Sequence, residues 1–208
     1  VSSITGSAGD FLVSSDGGKT THRAKTVVVC SGARHRKLGL DREDELTGKG
    51  VSYCALCDGN FYRNQVVAVV GGGNSALEEA LYLARIAKKV CVIHRRDAFR
   101  GAKVFQDKLF AMPDKVDVRL DTVIDELSGE DRLSGLALRN VKTNETSSLP
   151  VDGLFIYVGN VPNTRFLPEQ IETDAGGFIV TDNEMRSSIL GVFAAGDVRS
   201  KLCRQVIT

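Results

Sequence analysis

Residues 51–61 read VSYCALCDGNF and gather three groups that can do chemistry. Cys54 and Cys57 stand two residues apart, and Asp58 follows the second cysteine directly. That spacing lets two sulfurs close a small disulfide ring, which a thiolate can open by attack on one sulfur. A zinc site would need further ligands. The chain offers no second CxxC, and His22, His35 and His94 are scattered without ligand spacing, so no metal is expected. Two inert packed thiols are the bland alternative. The stretch is polar and bounded by glycine rather than a core strand, which favours a redox dithiol. Asp58 has two readings: a turn residue capping backbone N–H groups, or an acid placed to return a proton to a thiolate.

The other cysteines are Cys30, Cys91 and Cys203. Five scattered cysteines do not make a secreted disulfide framework, so a reducing cytoplasm is the expected compartment. Cys30 and Cys91 lie in β-branched runs, TVVVC and KVCVI, and are expected to be buried apolar residues. Lysine plus arginine number 27 against 26 aspartates plus glutamates, a balance that gives no reason to expect nucleic acid or an acidic membrane surface. No apolar run approaches the roughly 20 residues of a membrane span. The chain opens on Val1, so a preceding segment is expected.

These groups need elements to position them. DFLVSS and KTTHRA flank the turn DGG as a hairpin, and KTVVVCSGA follows as a buried strand. Residues 39–50, polar and bounded by glycines, read as a linker. Residues 65–70, QVVAVV, form a strand of the kind buried on both faces of a parallel sheet. A helix follows over 75–87, capped by Asn74 or Ser75, and KKVCVI is the next strand. Residues 99–112 read as a helix and VDVRL as a strand. Residues 133–158 read as antiparallel strands with a turn at KTNET, ending in the apolar GLFIYVG. GGFIVTDN and GVFAAGDV read as short strands near the end. The whole is α/β with at least one parallel sheet.

The turn between the strand at 65–70 and its helix is GGGNSALEEA, giving Gly71-x-Gly73-x-x-Ala76. Between a strand and a helix this is a dinucleotide fingerprint. Gly71 permits the tight turn, Gly73 lets the backbone approach a pyrophosphate, and Ala76 lets helix and strand pack closely. Asn74 and Ser75 open the helix, whose free N–H groups suit the phosphates. An NAD site places a carboxylate about 20 residues on, at the end of the next strand. Here that place reads HRRDAFR, with His94, Arg95, Arg96 and Arg100. Guanidinium forks suit a 2′-phosphate, so the expected nucleotide is NADPH.

CALCDG, VVAVVGGGNSALEEALYL, HRRDAFR and GVFAAGDV…CRQVIT together, in that order, resemble the low-molecular-weight bacterial thioredoxin reductases. The resemblance implies two Rossmann-like nucleotide-binding domains. An NADPH domain over 39–159, ending at Gly159, would be inserted into an incomplete FAD domain of 1–38 and 160–208. It implies FAD beside Ser31 and Gly32, Asp197 on the flavin's sugar-alcohol chain, and Arg204, Gln205 and Val206 near the isoalloxazine. Electrons would pass from NADPH through FAD and Cys54–Cys57 to thioredoxin, in a cytoplasmic homodimer whose domains rotate, with Asp58 as proton donor. The family begins with a second glycine fingerprint that these residues lack, so a fragment is expected. A reductase component of an alkyl hydroperoxide system and a non-catalytic NADPH-binding fragment are the alternatives.

Overall fold

The apolar run after Gln65 faces two ways at once. In the computed structural model, which describes residues 1–201, Val67 and Val69 point to one side of a sheet and Ala68 and Val70 to the other. A strand alternates its side chains with a period of two, so an unbroken apolar run is what a sheet covered on both faces demands. The strands at 89–93 and 153–157 repeat the pattern: Val90, Val92 and Phe155 share the first face, and Cys91, Ile93, Leu154 and Ile156 the second.

The chain divides into two compact units, Val1–Arg34 with Asn160–Thr208, and His35–Gly159. Elements are numbered in chain order. In the first unit β1 (Ser3–Ser7), β2 (Asp10–Ser15) and β3 (Thr20–Ala24) make an antiparallel sheet. β4 (Val27–Val29) pairs in parallel with β15 (Val192–Ala194). β5 (Ala33–His35), where the unit gives way to the second, pairs with β14 (Asn160–Pro162). Phe11, Val29, Ile179, Val192 and Val198 are among its buried core.

The second unit holds a parallel sheet in the order β6-β13-β7-β8-β9. Its strands are β6 (Val51–Ser52), β7 (Val66–Gly71), β8 (Lys89–Ile93), β9 (Val116–Arg119) and β13 (Gly153–Tyr157). Helices α3 (Asn74–Ala84) and α4 (Lys103–Phe110) cover one face. An antiparallel sheet of β10 (Thr122–Ser128), β11 (Gly135–Asn140) and β12 (Thr146–Pro150) covers the other, through Ile124, Leu127, Leu136 and Leu138. Ala76, Ala80 and Ala84 let α3 lie close on the sheet, while Leu77 and Leu83 fill the space beside them. Each fully buried leucine or valine here contributes about 1.5–3 kcal/mol. Two short helices, α1 (Glu43–Leu46) and α2 (Ala55–Asp58), complete the unit.

The α/β reading, a parallel sheet with antiparallel strands, holds. Several local readings change. Residues 39–50 are not an open linker: α1 lies within them, and Glu43, Leu46 and Gly50 are buried. β13 is not antiparallel; its apolar residues take it into the centre of the parallel sheet between β6 and β7. The cap of α3 is Gly73, because Asn74 is already helical and its Oδ1 accepts from Ala102 N at 2.7 Å. The fourth helix starts only at Lys103, after Arg100 N and Gly101 N are spent on Gly72 O. GGFIVTDN makes only isolated bridges. Cys30 is exposed, since β4 ends one residue earlier, whereas Cys91 is buried as expected. Among the described residues no helix is long and apolar enough to cross a membrane. Cys203, Arg204, Gln205 and Val206 lie outside the described residues.

Candidate active site

Every strand of the central sheet runs the same way, so their carboxyl ends share one edge. β6 delivers Ser52 to that edge just before Cys54, β13 delivers Tyr157 and β7 delivers Gly71. β7 has the β8 crossover on one side and β13 on the other, which is the switch point where open α/β sheets place ligands. β6 and β7 are two strand spacings apart, about 10 Å. One edge of one unit thus carries both the dithiol and the glycine turn.

Cys54 and Cys57 form a disulfide, with Cα atoms 5.3 Å apart. Cys54 caps α2, and its Sγ accepts from Cys57 N at 3.1 Å. An N–H directed at sulfur stabilises a thiolate once the bond is opened. Cys57 is exposed and Cys54 half-buried. Asp58 is half-buried, and its Oδ2 accepts from Ser52 Oγ at 2.6 Å. The same Ser52 Oγ accepts from Cys54 N at 3.1 Å. Ser52, 4% exposed, therefore ties the carboxylate to the first cysteine. Tyr157 Oη accepts from Ala55 N at 2.7 Å, fixing the first turn of α2 from below. Burial pushes the Tyr157 phenol upward, with further contributions from Glu79 and Asp58, so it stays protonated.

Sequence reasoning passed over Ser52 and Tyr157. Ser52 carried a faint signal, a small polar residue at the end of an apolar strand two places before Cys54. Tyr157 carried none, because its role needs β13 in the centre of the sheet. Replacing Ser52 by alanine leaves a buried N–H and a carboxylate short of partners. The expected loss is about 1–3 kcal/mol of stability, read from the urea midpoint at constant m-value.

The glycine turn is built as the fingerprint requires. Gly71 has φ +151°, and a Cβ there would strike Tyr157 O and the Ala76 side chain. A Cβ on Gly72 would strike the His94 ring. Gly73 caps α3 without side-chain help and opens on empty space, so a ligand can approach its backbone. Ala76 is fully buried and Ser75 is exposed.

Behind the turn, His94 is 6% exposed and its Nε2 is buried without a partner. Burial holds its pKa below the ordinary histidine value, and Arg96, Arg100 and Arg95 push the same way. Arg95, Arg96 and Arg100 are exposed, and their guanidinium groups have no protein partner among the described residues. Arg100 N and Gly101 N donate to Gly72 O at 2.8 and 2.9 Å, which ties the basic loop to the glycine turn. Asp97 is drawn off by Lys142 at 3.3 Å. Open backbone at a helix N-terminus and three guanidiniums without a partner among the described residues fit a phosphorylated dinucleotide.

The remaining candidate residues lie elsewhere. Gly159, with φ +108°, ends the second unit. In the first unit Ser31 Oγ donates to Asn163 O at 2.7 Å, and Gly32 has φ +67°. Asp197, in the 3-10 turn Gly196–Val198, pairs with Lys201 at 3.0 Å.

Comparison with known proteins agrees with this architecture. The family model described as pyridine nucleotide-disulphide oxidoreductase matches residues 1–208. A thioredoxin reductase of Streptomyces coelicolor is 47% identical over 202 residues, covering 97% of this chain but 62% of the relative. The chain thus spans about three fifths of that relative's length. Crystal structures of thioredoxin reductases from Lactococcus lactis and Streptococcus pyogenes each superpose with TM-score 0.81, at 40% and 46% identity. They cover all of this chain, which matches 68% and 67% of theirs. The chain belongs to the pyridine nucleotide-disulphide oxidoreductase family, in its low-molecular-weight thioredoxin reductase branch.

Proposed function

We propose that the complete protein is an NADPH-dependent thioredoxin-disulfide reductase in which Cys54 and Cys57 are the redox pair and Asp58 the proton donor. The observation that carries this reading is the placement of that disulfide, with Asp58 held by Ser52, on the same sheet edge as the glycine turn and its free arginines. When bound, FAD would supply the two-electron link between nicotinamide and disulfide. Gly71, Gly73, Asn74, Ser75 and Ala76 would receive the pyrophosphate of NADPH. Arg95, Arg96 and Arg100 would face its 2′-phosphate, with His94 packed behind the glycine turn that receives the nucleotide. Ser31, Gly32, Asp197, Arg204, Gln205 and Val206 are assigned to FAD from family membership, and Gly159, at the end of the NADPH domain, is kept as a cofactor-binding residue.

Two electrons and two protons turn the disulfide into two thiols. The Cys57 N–H steadies charge on Cys54 Sγ, and Asp58 gives a proton to the thiolate pair. Reversal of that transfer readies a thiolate to attack the partner's disulfide, through a mixed disulfide. Leu56, between the two cysteines, and Phe61, four residues after Cys57, are 63% and 78% exposed, apolar side chains suited to a protein substrate rather than a small polar one. The same reading places the complete protein in the cytoplasm as a homodimer, with 39–159 as its NADPH domain and 1–38 with 160–208 in its FAD domain.

The test is NADPH-driven reduction of thioredoxin by the complete protein. Asp58→Asn is expected to leave the disulfide formed but slow its reduction by roughly 10²–10⁴-fold. An unchanged single-turnover rate would remove Asp58 from the mechanism.

A further inference from the structure

Glu43 is 1% exposed, the most buried charged side chain among the described residues, and the chemistry above does not use it. Its carboxylate gathers four donors. Oε1 accepts from Leu38 N at 3.1 Å and from the Tyr53 hydroxyl at 2.7 Å. Oε2 accepts from Gly39 N at 2.8 Å and Leu40 N at 3.3 Å. Three successive backbone N–H groups turned inward form a nest for an anion, and here the chain supplies that anion itself. Gly39, at φ +80°, is the residue that lets the backbone turn this way. Thr47 Oγ1 donates to Glu43 O at 2.8 Å, which fixes the carboxylate's own helix.

The fourth donor matters most, because Tyr53 immediately precedes Cys54. Its ring stacks on His35 at 5.3 Å and 10°, and its hydroxyl ends on Glu43. Burial, followed by Glu43, pushes this phenol upward, so it remains a donor. Ser52 on one side of Tyr53 is tied to Asp58, and Cys54 on the other is half of the disulfide. The carboxylate thus joins the segment entering the second unit, α1 and the strand end that presents the redox pair.

We propose that Glu43 is a positioning residue for the Cys54–Cys57 pair, acting through the Tyr53 hydroxyl to hold the Cys54 backbone where the two sulfurs meet. This rests on the redox reading of that pair. Ring closure is favoured when both sulfurs are held close, in proportion to their effective concentration. Loosening Tyr53 lowers that concentration and favours the dithiol.

The experiment equilibrates the complete protein with glutathione buffers, traps thiols by alkylation and maps them by mass. One protein disulfide plus two glutathione thiols gives one protein dithiol and one glutathione disulfide. Tyr53→Phe keeps the ring on His35 and removes only the hydroxyl. It is expected to move the equilibrium roughly three- to tenfold toward the dithiol, about 15–30 mV for a two-electron couple. Glu43→Gln should move it in the same direction and by no more than Tyr53→Phe does, and the double variant should match Tyr53→Phe alone, since both act through one contact. A merely structural role would lower the melting temperature of both variants and leave the equilibrium at the parent value, and that result overturns the proposal. If Glu43→Gln does not fold, the Tyr53→Phe equilibrium decides alone. If the parent pair never exchanges with glutathione, the redox reading itself fails and this inference falls with it.

Discussion

Cys57→Ser in the complete protein is expected to abolish thioredoxin reduction while NADPH still bleaches the flavin band. The disulfide is the only route from this chain to a partner's disulfide in the proposed scheme, and serine cannot form it. The lone Cys54 thiol left behind can attack a partner, but no second sulfur remains to resolve the mixed disulfide. Turnover should therefore fall to background, and a covalent adduct with thioredoxin should accumulate. The fold should survive, because Cys57 is exposed and its structural contribution, the N–H bond to Cys54 Sγ, comes from backbone. Stopped-flow absorbance of the flavin beside steady-state turnover separates the two halves. Loss of bleaching in a variant that retains flavin would mean the electron order is wrong.

The second large effect is on cofactor choice. Arg95 and Arg96, just past the carboxyl end of β8, carry guanidiniums without a partner among the described residues, where a dinucleotide site meets the ribose. Charge-assisted bonds to a phosphate contribute about 1.5–3 kcal/mol each. Arg96→Gln should therefore weaken NADPH roughly 10- to 160-fold and leave NADH nearly unchanged. Both arginines are exposed, so the parent's preference should also shrink as salt rises. Titration calorimetry with the two nucleotides measures this directly. Equal affinities of the parent protein for NADPH and NADH would sink the assignment.

How much of this was legible in the sequence depended on how local each signal was. β7, the glycine turn and α3 were readable because strand pattern, turn chemistry and helix pattern follow one another within about 20 residues. The pairing of the CxxC sulfurs was readable because a metal site lacked ligands, and the structure shows the two cysteines joined. What escaped depended on contacts distant in sequence. β13 looked like the last of an antiparallel run, since pairing direction is not written in a strand's own residues; only its unbroken apolar GLFIY hinted at burial on both faces. Residues 39–50 looked like a linker because polar residues dominate them, yet one of those polar residues, Glu43, is their buried anchor. Tyr157 reaches Ala55 across 102 positions, beyond any local pattern. Cys30 failed for the opposite reason: the apolar run suggested burial, but its strand stops at Val29.

In the proposed scheme electrons from NADPH reach the Cys54–Cys57 disulfide. The most direct test of that scheme is anaerobic titration of the complete, oxidised, flavin-loaded protein with NADPH, followed by acid quench, alkylation and mass mapping. Two new alkylated positions, Cys54 and Cys57 and no others, are expected to appear together as NADPH is consumed. NADPH oxidation with both of those cysteines still joined would contradict the scheme.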